Sequence, residues 1–149
     1  MPRQVVFSET GSPAVLTVVE APIPEPSPGQ VRVRVRAAGI NPVDWKIFSG
    51  GPAAATYGLT LPSVNGSDFA GTVDALGDGV TSLRVGDEVF GGLRFVAQAD
   101  YLLIDADAVG MIPEGLTLEQ AAGLDIVART AVASVRAVDV RAGDVVFVS

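Results

Sequence analysis

A chain of 149 residues with a net charge of −7 suits one domain that buries roughly two-thirds of its unfolded surface, and it offers nothing to a nucleic-acid backbone or an anionic membrane. It has no Cys and no His, which excludes disulfides, thiol nucleophiles, Ser-His-Asp triads and an ordinary zinc site built on N or S ligands. Apolar residues make up 48% and aromatics only 6%, so Val, Ala, Leu and Ile must build the core.

In chain order, Gln4–Ser8 and Ala14–Ala21 read as two strands around a Thr10-Gly11-Ser12-Pro13 turn. The four prolines of Pro22–Gly29 make a loop. Gln30–Ala37 alternates strictly, with Val31, Val33 and Val35 on one face and Arg32, Arg34 and Arg36 on the other, which predicts a strand buried on one side. The acidic balance of the chain favours a solvated face over a polyanion site for those arginines. Asn41-Pro42-Val43-Asp44 is a helix start, with cap, N1 proline and an acidic third position, opening a short helix toward Ser49. Gly50–Pro62 reads as a mobile excursion.

The block Gly66–Gly92 holds 7 of the 17 glycines, and these punctuate the Val-rich runs Phe69–Ala75 and Leu83–Phe90. Glycine sits where φ is positive or where backbones approach closely, so the block predicts short, tightly wound strands and a small β-barrel. Ala97–Asp105 and Val109–Ile112 are further strands. Thr117-Leu118-Glu119-Gln120 is a capping box that starts a helical pattern, broken near Gly123–Asp125 and running to about Val138. Asp144–Ser149 closes as a continuous apolar strand, the pattern of the middle of a parallel sheet.

These residues resemble the N-terminal half of the medium-chain dehydrogenase/reductase superfamily, in its zinc-independent, quinone oxidoreductase-like branch. The matching pieces are Gly39-Ile40-Asn41-Pro42-Val43-Asp44-Trp45-Lys46, Gly66-x-Asp68-x-Ala70-Gly71-x-Val73 with Gly77, and Gly86-Asp87-x-Val89-x-Gly91. Ala99-Asp100-Tyr101, Ile112-Pro113, Thr130-Ala131 and Ala142–Val148 follow in the same order. The resemblance implies a mainly β fold: a GroES-like, partly open barrel over residues 1–123. The first helix and first strand of a truncated Rossmann cofactor domain would follow over 124–149. In such a domain the pyrophosphate-binding Gly-rich turn comes directly after that strand, here beyond Ser149.

Relatives that use zinc carry Cys near Asn41-Pro42 and a His-Glu pair after Gly66. This chain has Asn41 and Ser67-Asp68 there, so the resemblance implies no metal. It assigns Asn41 to the nicotinamide end of the cofactor, although the same residue reads as a helix cap. It also turns Thr130 toward the nicotinamide, although a mid-helix Thr commonly bonds its own i−4 carbonyl. Asp125, Arg129 and Val132 replace the Pro, Leu and aromatic usual along this wall.

Lys46, the sole lysine, could stabilise developing enolate charge or simply sit on the surface. Tyr57 could donate a proton from a loop over the substrate, or only pack. These two are the candidate catalytic residues. Asp68 and Asp87 read as turn and backbone-capping carboxylates.

The implied activity is NADPH- or NADH-dependent reduction of a quinone or an α,β-unsaturated carbonyl by hydride transfer, without zinc. The alternative is a non-catalytic GroES-like module, or half of a split enzyme that acts through protein contacts. No tightly bound cofactor is expected on the 149-residue chain alone. No basic n-region and apolar h-region open MPRQVVFSET, and no run approaches the roughly 18 residues of a membrane span, so a cytoplasmic protein is expected. A homo-oligomer is expected too, with association through the uncovered Val145–Val148 strand.

Overall fold

A computed structural model describes residues 1–148. Eight strands form two antiparallel sheets that do not close on each other, the partly open barrel expected of the chain. The smaller sheet joins β1 (Arg3–Phe7), β2 (Thr17–Glu20) and β4 (Ser63–Val64) in the order β2-β1-β4. The larger one contains β3 (Gln30–Ala38), β5 (Asp68–Leu76), β6 (Glu88–Gly92), β7 (Tyr101–Asp105) and β8 (Val109–Met111), in the order β7-β3-β5-β6-β8. Val5 N–H donates to the Gln98 carbonyl at 2.8 Å, and a Gln4–Ala99 bridge ties β1 to the segment entering β7.

β3 bears out its alternation. Val31 and Val33 are fully buried and pack with Phe69, Val73, Val89, Leu102 and Ile104 between the strands. On the opposite face Arg32 is held at 2.9 Å by Asp74 and also reaches Glu25, while Arg34 and Arg36 face solvent. A second cluster places Phe7 edge-on to Phe48, with ring centroids 6.4 Å apart, and anchors helix α1 (Pro42–Phe48) against the smaller sheet.

The expected Ala97–Asp105 strand begins only at Tyr101, where pairing with β3 starts, and four further expectations need correction. The segment 50–62 is not a loose excursion: it contains helix α2 (Pro52–Thr56), with Ala54 buried and Leu59 N–H bonded to the Ala54 carbonyl at 2.9 Å. Pro52 at N1 and the alanine run supply helix propensity that the flanking glycines masked. The Ala14–Ala21 strand starts only at Thr17, because Ser12 and Pro13 start a 3-10 turn over Pro13–Val15. The Leu83–Phe90 run is a strand only from Glu88. Gly86, at φ +99°, and Asp87, whose carboxylate accepts from Arg84 N–H at 2.8 Å, fold its first half into a turn, the capping role expected of Asp87.

The last correction is the terminal strand. Residues 144–148 form no strand, and Val145 and Phe147 are almost wholly exposed. A strand exists only through its ladder partners, and none lies alongside here. Ser149, the last residue of that expected strand, lies outside the described residues.

The helical region does break where expected. Helix α3 (Leu118–Ala121) opens on the Thr117 capping box, with Gln120 N–H donating to Thr117 Oγ1 and Gln120 Oε1 accepting from Thr117 N–H. Helix α4 (Asp125–Ala137) then leaves the barrel and buries none of its residues. Ala70, Ala121 and Ala122 pack α3 on the sheet. Gly39 makes that approach possible, since a Cβ there would lie 2.5 Å from the Ala122 carbonyl oxygen.

Candidate active-site cleft

Three chain segments meet at the foot of α4. The N-terminus of α1 brings Asn41 and Asp44, the start of β5 brings Ser67 and Asp68, and the end of β6 brings Gly92 to the first turn of α4. Asp44 Oδ2 accepts from Asn41 N–H at 2.8 Å, the reach-back half of a capping box, and Asp44 Oδ1 accepts from Ser67 Oγ at 2.9 Å. Asn41 Nδ2 donates to Asp68 Oδ2 at 3.2 Å. The same Asp68 oxygen accepts from Ile126 N–H at 3.3 Å and so caps α4 across the chain.

Asp68 is completely buried and its second oxygen, Oδ1, has no hydrogen-bond partner. Burial raises its pKa above the ordinary value; the bonds from Asn41 and Ile126 oppose the shift, and the nearby charges of Asp125 and Asp44 add to it. The capping role read from sequence is present, on a carboxyl biased toward its neutral form. Gly92 belongs to the same arrangement: a Cβ there would come within 2.3 Å of Asp125 Oδ2 and 3.0 Å of Asp68 Oδ1.

Above this network lies a cleft of about 250 Å³ lined by Ser67, Gly92, Arg94, Asp125, Arg129 and Thr130, with Leu93 and Ile126. Thr130 Oγ1 donates to the Ile126 carbonyl at 2.7 Å, the i−4 bond that its helical position allows, and stands on the exposed cleft wall. Thr130 has thus committed its hydroxyl proton and presents lone pairs to the cleft, while Ser67, almost wholly buried, gives its proton to Asp44. The N–H donors there are the guanidinium groups. Arg129 Nε is bonded to Asp125 Oδ1 at 2.9 Å, an i,i+4 pair.

Of the four candidate catalytic and cofactor-binding residues read from the sequence, only Thr130 lines this cleft, beside Asp125 and Arg129 of the wall noted there. Asn41 lies beneath it, buried, with one amide proton on Asp68. Lys46 is exposed on α1, its Nζ 5.9 Å from the Trp45 ring centre, and lies apart from the cleft. Tyr57 approaches from the end of α2, but its ring face is covered by the Arg94 guanidinium, 3.9 Å from the ring centre. Sequence reasoning missed Arg94. Its one local signal is a charged residue directly after Gly91-Gly92-Leu93, at the mouth of a strand. No three metal-capable side chains converge among the described residues, and the local donors are an amide, hydroxyls and buried carboxyls.

An open antiparallel barrel with a polar cleft at its edge, facing the first turn of an outgoing helix, defines a GroES-like domain of the dehydrogenase type. Residues 27–114 match the alcohol dehydrogenase GroES-like domain, and the chain belongs to that family. Its relatives are oxidoreductases. It is 37% identical to the quinone oxidoreductase of Sus scrofa over 93% of this chain and 42% of that protein. It is 32% identical to the chloroplastic NADPH-dependent alkenal/one oxidoreductase of Arabidopsis thaliana, over 85% and 35%. The solved quinone oxidoreductase of Coxiella burnetii superposes with a TM-score of 0.87 at 34% identity, covering 96% of this chain and 47% of that one. The chain spans less than half the length of each of these proteins.

Proposed function

We propose that this chain is the front, substrate-binding portion of an NADPH-dependent reductase of quinones or α,β-unsaturated carbonyls that works without zinc. The carrying observation is the cleft, where the Thr130 hydroxyl presents acceptors, two guanidinium groups present donors, and no imidazole or thiolate stands near. The names of the relatives, quinone oxidoreductase and alkenal/one oxidoreductase, support the substrate class.

The residues fit a nicotinamide. The lone pairs of Thr130 Oγ1, on the exposed cleft wall, suit the N–H donors of a carboxamide. They do not fit zinc, because an amide, a hydroxyl and a buried carboxyl already bonded to Asn41 and Ile126 replace its usual N and S ligands. NADPH, when bound, supplies the hydride. The chain's own residues hold the acceptor carbonyl among N–H donors, chiefly the free guanidinium edge of Arg129, so that negative charge developing on oxygen meets a preorganised cation. Asn41 acts from below by holding Asp68 in place. We assign residues 1–123 to the substrate domain and 124–149 to the start of the cofactor domain.

The test is NADPH oxidation, with a quinone and a neutral enone as acceptors, by a polypeptide of the relatives' full length that carries this chain. Thr130→Val, which keeps shape and removes the hydroxyl, is expected to raise the KM for NADPH about tenfold. Unchanged kinetics for both acceptors, or no turnover by the parent enzyme, would defeat the reading.

A further inference from the structure

Charge in the cleft is unevenly compensated. Asp125 and Arg129 pair at 2.9 Å, and Asp68 lies buried beneath Gly92 with the Asn41 amide and Ile126 N–H donating to it. Arg94 makes no ion pair and no hydrogen bond among the described residues. It is exposed but rests on an aromatic ring, its guanidinium carbon 3.9 Å from the centre of the Tyr57 ring, where stacking is favourable. Stacking occupies a face and leaves the in-plane N–H groups available, the geometry that receives a carboxylate through two parallel hydrogen bonds. Among the described residues Arg94 is thus the one charged residue lining the cleft that has no charged partner, in a chain whose net charge is −7.

We infer that Arg94, seated on the Tyr57 ring, binds a carboxylate on the substrate, so that the preferred acceptors are oxo-enoates: α,β-unsaturated ketones that also carry a carboxylic acid. The inference rests on the reductase reading and narrows its substrate class. Arg129 then faces the ketone oxygen and Arg94 the acid. Tyr57 serves as a positioning residue and needs no ionisable proton.

The experiment titrates the 149-residue chain with trans-4-oxopent-2-enoate and with its methyl ester, following the Arg94 Nε–H resonance by NMR. The acid is expected to saturate and to bind about tenfold more tightly than the ester. Arg94→Gln should abolish that difference. Tyr57→Leu should weaken acid binding several-fold while Tyr57→Phe, which keeps the ring and loses the hydroxyl, should not. Backbone amide spectra of each variant separate loss of the site from loss of the fold. Equal binding of acid and ester, an acid preference that survives Arg94→Gln, or saturation by neither ligand would overturn the inference. Reduction by NADPH is scored separately on the full-length polypeptide. Reduction of the ester without an acid preference sinks only the carboxylate site, and acid binding without reduction of either compound sinks only the reductase reading.

Discussion

Asp68 shows how much one side chain can be asked to do. Its Oδ2 accepts from Asn41 and from the first turn of α4, while Oδ1 is buried and unpartnered toward Asp125. Because its folded-state pKa is raised, the folded protein holds this proton more tightly than the unfolded chain does. The ionised form therefore costs stability at neutral pH, and the penalty fades as pH falls through the raised value toward the ordinary 3.8. Asp68→Asn keeps both accepting bonds through its amide oxygen and removes the charge. It is expected to raise the Tm at neutral pH by about 3 °C and to flatten its slope between neutral and mildly acidic pH. Thermal unfolding across that range decides it, and a lower neutral Tm for the variant would contradict the account. The sequence disclosed the carboxylate and its capping role. Its partners could not be read there, because Ile126 is 58 positions away. Arg94 and Tyr57 likewise meet across three intervening strands, β4, β5 and β6, a juxtaposition that no local pattern encodes.

At the scale of elements, legibility follows the range of the interaction. β3 was readable because one face lies in the core, so its Val/Arg alternation is imposed residue by residue. The Thr117 start was readable because a capping box is closed within four residues. The true limits of β6 and β7 were not, since pairing with β5, β8 and β3 decides them, and those partners are remote in sequence. The seating of α3 on the sheet is another close long-range contact. Gly39→Ala drives a methyl into the Ala122 carbonyl, a backbone atom that cannot rotate away, and is expected to cost about 2 kcal/mol in chemical denaturation. A loss below a few tenths would show that α3 can retreat freely.

For the molecule as a whole, apolar surface is distributed unevenly. The sheets enclose a well-packed Val-rich core, whereas α4 carries Val127, Val132 and Val135 exposed, and the following segment exposes Val145, Val146, Phe147 and Val148. Such an uncovered apolar run is a template for pairing with another chain. The 149-residue protein is expected to self-associate with rising concentration in sedimentation velocity, and a double change of Val146 and Phe147 to Lys should return it to a monomer. A monomer at every concentration would count against this. No helix among the described residues is long and apolar enough to cross a membrane.

The bond from Ile126 N–H to Asp68 gives α4 one fixed end and leaves its remaining length bare of packing. Mechanically that is a lever whose fulcrum sits in the cleft wall, since Asp125, Ile126, Arg129 and Thr130 all lie within the first two turns beyond the pin. Any swing of the outer helix must rotate those four residues against Ser67 and Arg94, so the width of the cleft and the tilt of the lever are one variable.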